Sequence, residues 1–142
     1  MQNFTQKSQE VLQRAHNIAQ ESKHQQVSDL HLLQSLLLEQ NTDDSIIFGI
    51  LNKMGIDAAA IKEEAGKGLE KMPKIAGDIS VPFGQVHITP VLARILSRAQ
   101  QEAKNLSDEY ISVEHLFLAI VATDCPAQKI LHEISSRAGA VV

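Results

Sequence analysis

Tryptophan is absent from this 142-residue chain and tyrosine occurs once. A core without large aromatics must be built from Leu, Ile, Val and Ala, a repertoire that favours helices. Cysteine also occurs once, which excludes an internal disulfide and points to a reducing, cytoplasmic compartment. No apolar run approaches the roughly 20 residues needed to span a bilayer, and Met1 opens onto a polar, amphipathic stretch rather than a secretory signal. Basic residues are in deficit: 13 Lys and Arg against 17 Asp and Glu leave a formal charge of −4. With no clustered basic stripe to follow phosphates, nucleic acid is not an expected partner. A phosphate loop is lacking too, because the glycine that G-x-x-x-x-G-K requires ahead of Gly66-Lys67 is Ile61. What remains is ordinary globular usage, 44% hydrophobic and 21% charged, at a length that suits one domain with a real core.

The chain contains itself twice. Shifted by 84 positions, residues 4–40 lie over a second segment without a gap, with Thr5 on Thr89, Leu12 on Leu96, Arg14 on Arg98, Ala15 on Ala99, Ser28 on Ser112 and His31 on His115. Val11/Ile95, Val27/Ile111 and Leu36/Ile120 exchange one apolar residue for another. A long period that keeps both apolar rows and polar punctuation marks a duplicated supersecondary unit whose copies bury faces against each other. Such a design suits an interaction scaffold better than an enzyme.

Thr5 reads as the N-cap of a first helix with Val11, Leu12, Ala15, Ile18 and Ala19 on one face, ending near residue 23. Ser28 caps a second between Val27 and Leu32, a hydrophobic staple, and its body HLLQSLLLE is apolar nearly all round, which requires burial on several sides. Asp43 or Asp44 starts a third, with Ile46, Ile47, Ile50, Leu51 and Met54 inward and Gly55 as its stop. Asp57 caps a fourth, which Pro73 closes. Residues 73–88, with two prolines and two glycines, form the linker. The second copy restarts at Thr89-Pro90, proline being suited to a first helical position. Ser112 caps the sixth helix and Pro126 opens a seventh, after which SSRAGAVV offers no counterpart to the fourth.

Little of this carries chemistry. His16, His24, His31, His87, His115 and His132 form no short ligand pair such as H-x-x-x-H, so no metal site is expected. His31 and His115 each stand third in a helix after a serine cap, where hydrogen bonding and packing are their expected roles. Cys125 precedes Pro126 at a helix N-terminus, a position that favours thiolate, but no base adjoins it and a structural thiol is expected. No nucleophile, base and orienting group can be assembled, which argues against a free-standing enzyme.

The double repeat of T…A…A…(V/I)S-x-x-H-L helices around a Gly/Pro-containing linker resembles the N-terminal domain of the Clp/Hsp100 chaperones over about residues 1–135. Leu69 to Gly77, LEKMPKIAG, resembles the L-x-x-L-P-x-V-x-G stretch of ClpB-type disaggregases, and VSDLHLL is more similar to ClpB than to ClpC. The resemblance implies an all-α fold of two pseudo-twofold four-helix repeats, the second lacking most of its last helix. The boundaries are repeat one 4–72, linker 73–88, repeat two 89–135 and tail 136–142. It implies a non-catalytic domain that binds unfolded or aggregated protein clients and passes them to downstream ATPase modules of a homo-hexamer. ATP and magnesium are expected in those modules and no cofactor in this stretch, and a DnaK-type chaperone system is implied as a partner of the parent protein. The alternative is an adaptor- or degron-docking domain of a ClpC- or ClpA-like unfoldase that feeds a protease. ClpC-type readers of phosphorylated arginine carry T-E-H at both buried helices. Here Glu114 supplies the acid in one copy, but Leu30 stands in its place in the other.

By the same resemblance, Thr5, Asp108 and Glu114 match polar positions that lie together in ClpB-type domains and matter for chaperone action. The leucines of the ClpB client groove fall, by register, on Arg98, Glu102 and His115, so a polar groove is expected here. Burying one leucine is worth roughly 1.5–3 kcal/mol and about 1.4 kcal/mol is tenfold in affinity. Apolar capture is therefore expected to be weak unless Phe83, Val86 or Tyr110 replaces those leucines.

Overall fold

A computed structural model describes residues 3–38, 46–53, 55–72 and 87–137. Seven helices run through them: α1 Gln6–Glu21, α2 Asp29–Leu37, α3 Ile46–Lys53, α4 Ala58–Glu70, α5 Pro90–Asn105, α6 Val113–Ala122 and α7 Pro126–Arg137. The all-α expectation holds, with four helices before the linker and three after it. The expected start of α3 at Asp43 or Asp44, the inward Met54, Pro73 and the linker residues 73–86 with Phe83 and Val86 lie outside the described residues. Residues 87 and 88 pair with the first repeat, and α7 extends two residues past the boundary expected at 135.

Local chemistry sets the helix ends. The hydroxyls of Thr5 and Thr89 accept from the Ser8 and Leu92 amides at 3.1 Å, so each 16-residue first helix opens on a satisfied cap, and Pro90 needs no amide there. Asp57 accepts from the Ala59 amide at 3.0 Å. Gly55 turns the chain out of α3 at φ +71°, which glycine adopts without a Cβ penalty. Lys23 and Ser107, 84 positions apart, both adopt φ near +60° as the chain leaves α1 and α5.

The apolar all-round helices are the centre. α2 packs against every other helix and α6 against α1, α2, α3, α5 and α7. Leu32, Leu33 and Leu36 on α2, with Leu116, Ala119 and Ile120 on α6, are essentially inaccessible. The copies also interlock. α1 meets α6 as α5 meets α2, and α3 meets α6 as α7 meets α2. Two parallel bridges obey the same exchange: Phe4 pairs with Ile111 and Val27 with Ile88. The Thr5 amide donates to Ile111 O at 3.0 Å, and the Thr89 amide to Val27 O at 3.0 Å. Each first helix is thus anchored beside the cap of the other copy's buried helix.

Candidate partner-binding site

The serine–histidine pair that opens each buried helix forms a capping box in which histidine takes the place usually held by Glu or Gln. The Ser28 amide donates to His31 Nδ1 at 2.8 Å and the Ser112 amide to His115 Nδ1 at 2.8 Å. A backbone N–H can only donate, so the proton of each neutral ring sits on Nε2. What receives that proton differs between the copies. In repeat two, His115 Nε2 donates to Asp108 Oδ2 at 2.9 Å. In repeat one the same position is His24, whose Nδ1 lies 2.8 Å from His31 Nε2. Burial first, and then the neighbouring His24, lower the His31 pKa to about 4.

Around Ile111 the structure gathers three of the expected residues. Thr5 hydrogen-bonds the Ile111 carbonyl through its amide, Asp108 and Glu114 flank that residue in the chain, and Glu114 Oε1 accepts from the Ser112 hydroxyl at 2.9 Å. Ser8, which sequence reasoning missed, joins them: its hydroxyl donates to Ile111 O at 2.8 Å and accepts from Thr5 Oγ1. Arg98 and Glu102 pair along α5, Nε to Oε1 at 3.0 Å, with side chains 50% and 21% exposed. His115 does not join them. At 2% exposure, with Ser112 and Asp108 holding both its nitrogens, it cannot line an open groove. The leucine-for-leucine register failed at that position because a capping-box histidine points back into its own helix start.

Other expectations also meet the structure. Leu30 is buried against α4, where a Cβ on Gly68 would come within 2.9 Å of its Cδ1. Repeat one therefore presents an apolar core contact where a carboxylate would be needed. Cys125 is buried and donates weakly towards Ile120 O. Burial raises its thiol pKa and outweighs the hydrogen bond from the Gln128 amide, which lowers it, so the helix N-terminus does not make it a thiolate and the thiol is structural, as expected. Asp29 carries the cap that α7 needs: its buried carboxylate accepts from the Ala127 amide at 2.8 Å. Its counterpart by the repeat is Val113, so no pattern in the sequence marked it. Among the described residues no cluster of three or more His, Cys, Asp or Glu is placed to hold a metal, and no helix is long and apolar enough to cross a membrane.

Residues 3–134 match the family described as the Clp repeat (R) N-terminal domain. The chain belongs to the Clp N-terminal repeat family. The chaperone protein ClpB of Bacillus cereus is 39% identical over 116 residues, 82% of this chain and 13% of ClpB. This Clp N-terminal domain thus spans about an eighth of the length of that relative. Among solved structures, the Hsp104 N-terminal domain from Candida albicans matches with a TM-score of 0.74 at 18% identity, covering 98% of this chain and 83% of that one. A ClpV N-domain in complex with a VipB peptide matches with a TM-score of 0.66 at 18% identity, over 92% of this chain and 78% of that one. At such identities these two show the shared fold.

Proposed function

We propose that this domain is the client-binding N-terminal accessory domain of a ClpB-type disaggregase. It is not itself catalytic: it holds unfolded or aggregated polypeptide and hands it to ATPase modules of a homo-hexameric parent, where ATP and magnesium act. The setting is cytoplasmic, and a DnaK-type system supplies clients to the parent. The observation that carries this reading is the 39% identity to ClpB over four-fifths of the chain. The VipB peptide bound by a ClpV N-domain supports polypeptide as the ligand class. Within the domain, Thr5, Asp108 and Glu114 around Ile111 form the polar contact, and Arg98 with Glu102 keeps the adjoining face of α5 charged. Docking of an adaptor or degron in a ClpC- or ClpA-like parent is the second reading. Glu114 favours it, and the burial of Leu30 removes half of the acidic pair it needs.

Fluorescein-labelled casein, titrated across a salt series, tests the reading. Weak binding that fades as salt screens exposed charges is expected. Replacing Arg98 and Glu102 together by leucine creates an apolar patch, which raises affinity and reduces the salt dependence. Unchanged affinity would move the client surface to another face. No binding of casein by the native domain would overturn client capture.

A further inference from the structure

A buried polar atom without a partner costs stability, and Gln34 carries one. Its Oε1 is closed off from solvent and accepts no hydrogen bond among the described residues. The fold does not ask for it: the 84-residue shift sets Leu118 on Gln34, so α6 is built with leucine where α2 has glutamine. An acceptor kept at such a cost, where the sister helix dispenses with it, is explained by a donor that arrives from outside the domain.

There is room for that donor. Gln34 lies in the wall of a pocket of about 240 Å³ where the end of α1, the middle of α2 and the last turns of α4 meet. Ile18 and Leu69 line it with apolar surface, and Ser22 and Glu70 add oxygens. At Gly66, also in the wall, a Cβ would meet nothing within 4 Å, so that side is bare backbone. The remaining wall residue, His24, is engaged with His31 through Nδ1. The volume falls below the roughly 300–1,000 Å³ of sites that enclose a drug-sized molecule. It suits a single side chain.

Charge selects which one. Glu70 is the acidic residue of the lining, exposed at the end of α4, and it makes no ion pair among the described residues. Lys67, a turn earlier, is taken up by Glu63 and Glu64. An amide oxygen, a hydroxyl and a carboxylate around an apolar throat match an aliphatic stem that ends in a cationic group with several donors. Acceptors on two different helices favour the planar fork of arginine over the point charge of lysine.

Resting on the client-binding reading, we propose that this pocket takes one arginine side chain of a bound polypeptide. The methylene stem lies along Ile18 and Leu69, and the guanidinium donates to the Gln34 oxygen and the Glu70 carboxylate in charge-assisted hydrogen bonds. No hydrogen bond among the described residues holds the Gln34 amide, so its oxygen is free to turn to the ligand.

The test titrates three short peptides, identical but for a central arginine, citrulline or glutamate, into the isotope-labelled domain and follows amide signals by NMR. The arginine peptide is expected to shift the Gln34 side-chain amide and the Gly66 backbone amide saturably. It should bind at least about tenfold more tightly than the citrulline peptide, a difference of about 1.4 kcal/mol, with the glutamate peptide weaker still. Gln34→Leu, which installs the residue repeat two carries at this position, should weaken the arginine peptide about tenfold or more while the melting temperature holds or rises. Glu70→Gln, at an exposed site, should weaken it severalfold and remove the preference over citrulline. Equal binding of the arginine and citrulline peptides, shifts confined to residues away from Gln34 and Gly66, or indifference to either substitution would overturn the proposal. A lowered melting temperature in Gln34→Leu would make Gln34 a structural residue and overturn it too. Casein bound by the native domain with no arginine peptide bound would sink the pocket and leave client capture standing. A native domain that binds neither would sink both.

Discussion

One proton separates the two copies at the level of single residues. His31 is held neutral between a backbone N–H and His24, whereas His115 faces a carboxylate. For His31 the folded pKa of about 4 lies below the ordinary 6.5, so its contribution to stability is complete above pH 6.5 and is lost as pH falls through 4. The loss should reach the order of 3 kcal/mol, at 1.36 kcal/mol per pKa unit, and should register as a steep drop in melting temperature between those limits. His31→Gln keeps an acceptor for the Ser28 amide, since glutamine is an ordinary capping-box partner. It should flatten that drop while lowering stability at neutral pH. A variant that melts with the native pH profile would move the acid sensitivity elsewhere. The sequence placed both histidines at helix starts because serine three residues earlier is a local signal. It could not show that His24 takes the place of Asp108 in space, because that depends on where the chain returns after a left-handed residue.

Among the elements, α4 shows how a helix can be fitted to its neighbour by what it lacks. Gly68 lets α4 settle onto Leu30, while a Cβ on Gly66 would meet nothing within 4 Å. Gly66→Ala should therefore stabilise by about 0.5–1 kcal/mol, the usual gain of alanine over glycine inside a helix. Gly68→Ala must displace the Leu30 side chain, and denaturant unfolding should show it gaining less than Gly66→Ala, or losing. Equal gains at the two positions would mean that Leu30 moves at no cost. The existence and order of the helices were legible from spacing and caps, since Thr5, Ser28, Asp57, Thr89 and Ser112 all cap as read. The packing partners were not legible, because an apolar stripe announces burial without naming what buries it. Gly66 and Gly68 look alike in the sequence, and only the approach of α2 distinguishes them.

For the molecule as a whole, the exchange of helices between copies matters more than either copy alone. Asp29 of the first repeat caps α7 of the second, so Asp29→Ala should cost about 2 kcal/mol, the range for a lost hydrogen bond to a charged group. It should still unfold in one transition, with calorimetric and van't Hoff enthalpies in agreement. Two resolved transitions would show that the repeats are independent. Duplication was legible in the sequence as a shift of 84, yet a tandem of separate units and an interlocked pair share that pattern. The bridge from Phe4 to Ile111 decides between them. It also sets a schedule for a ribosome. The Ser8 hydroxyl bonds a carbonyl 103 residues further on, and synthesis proceeds at about 5–20 residues per second. α1 thus emerges roughly 5–20 s before the carbonyl that its Ser8 hydroxyl bonds, and for that interval this domain of a chaperone family is itself an incompletely folded chain.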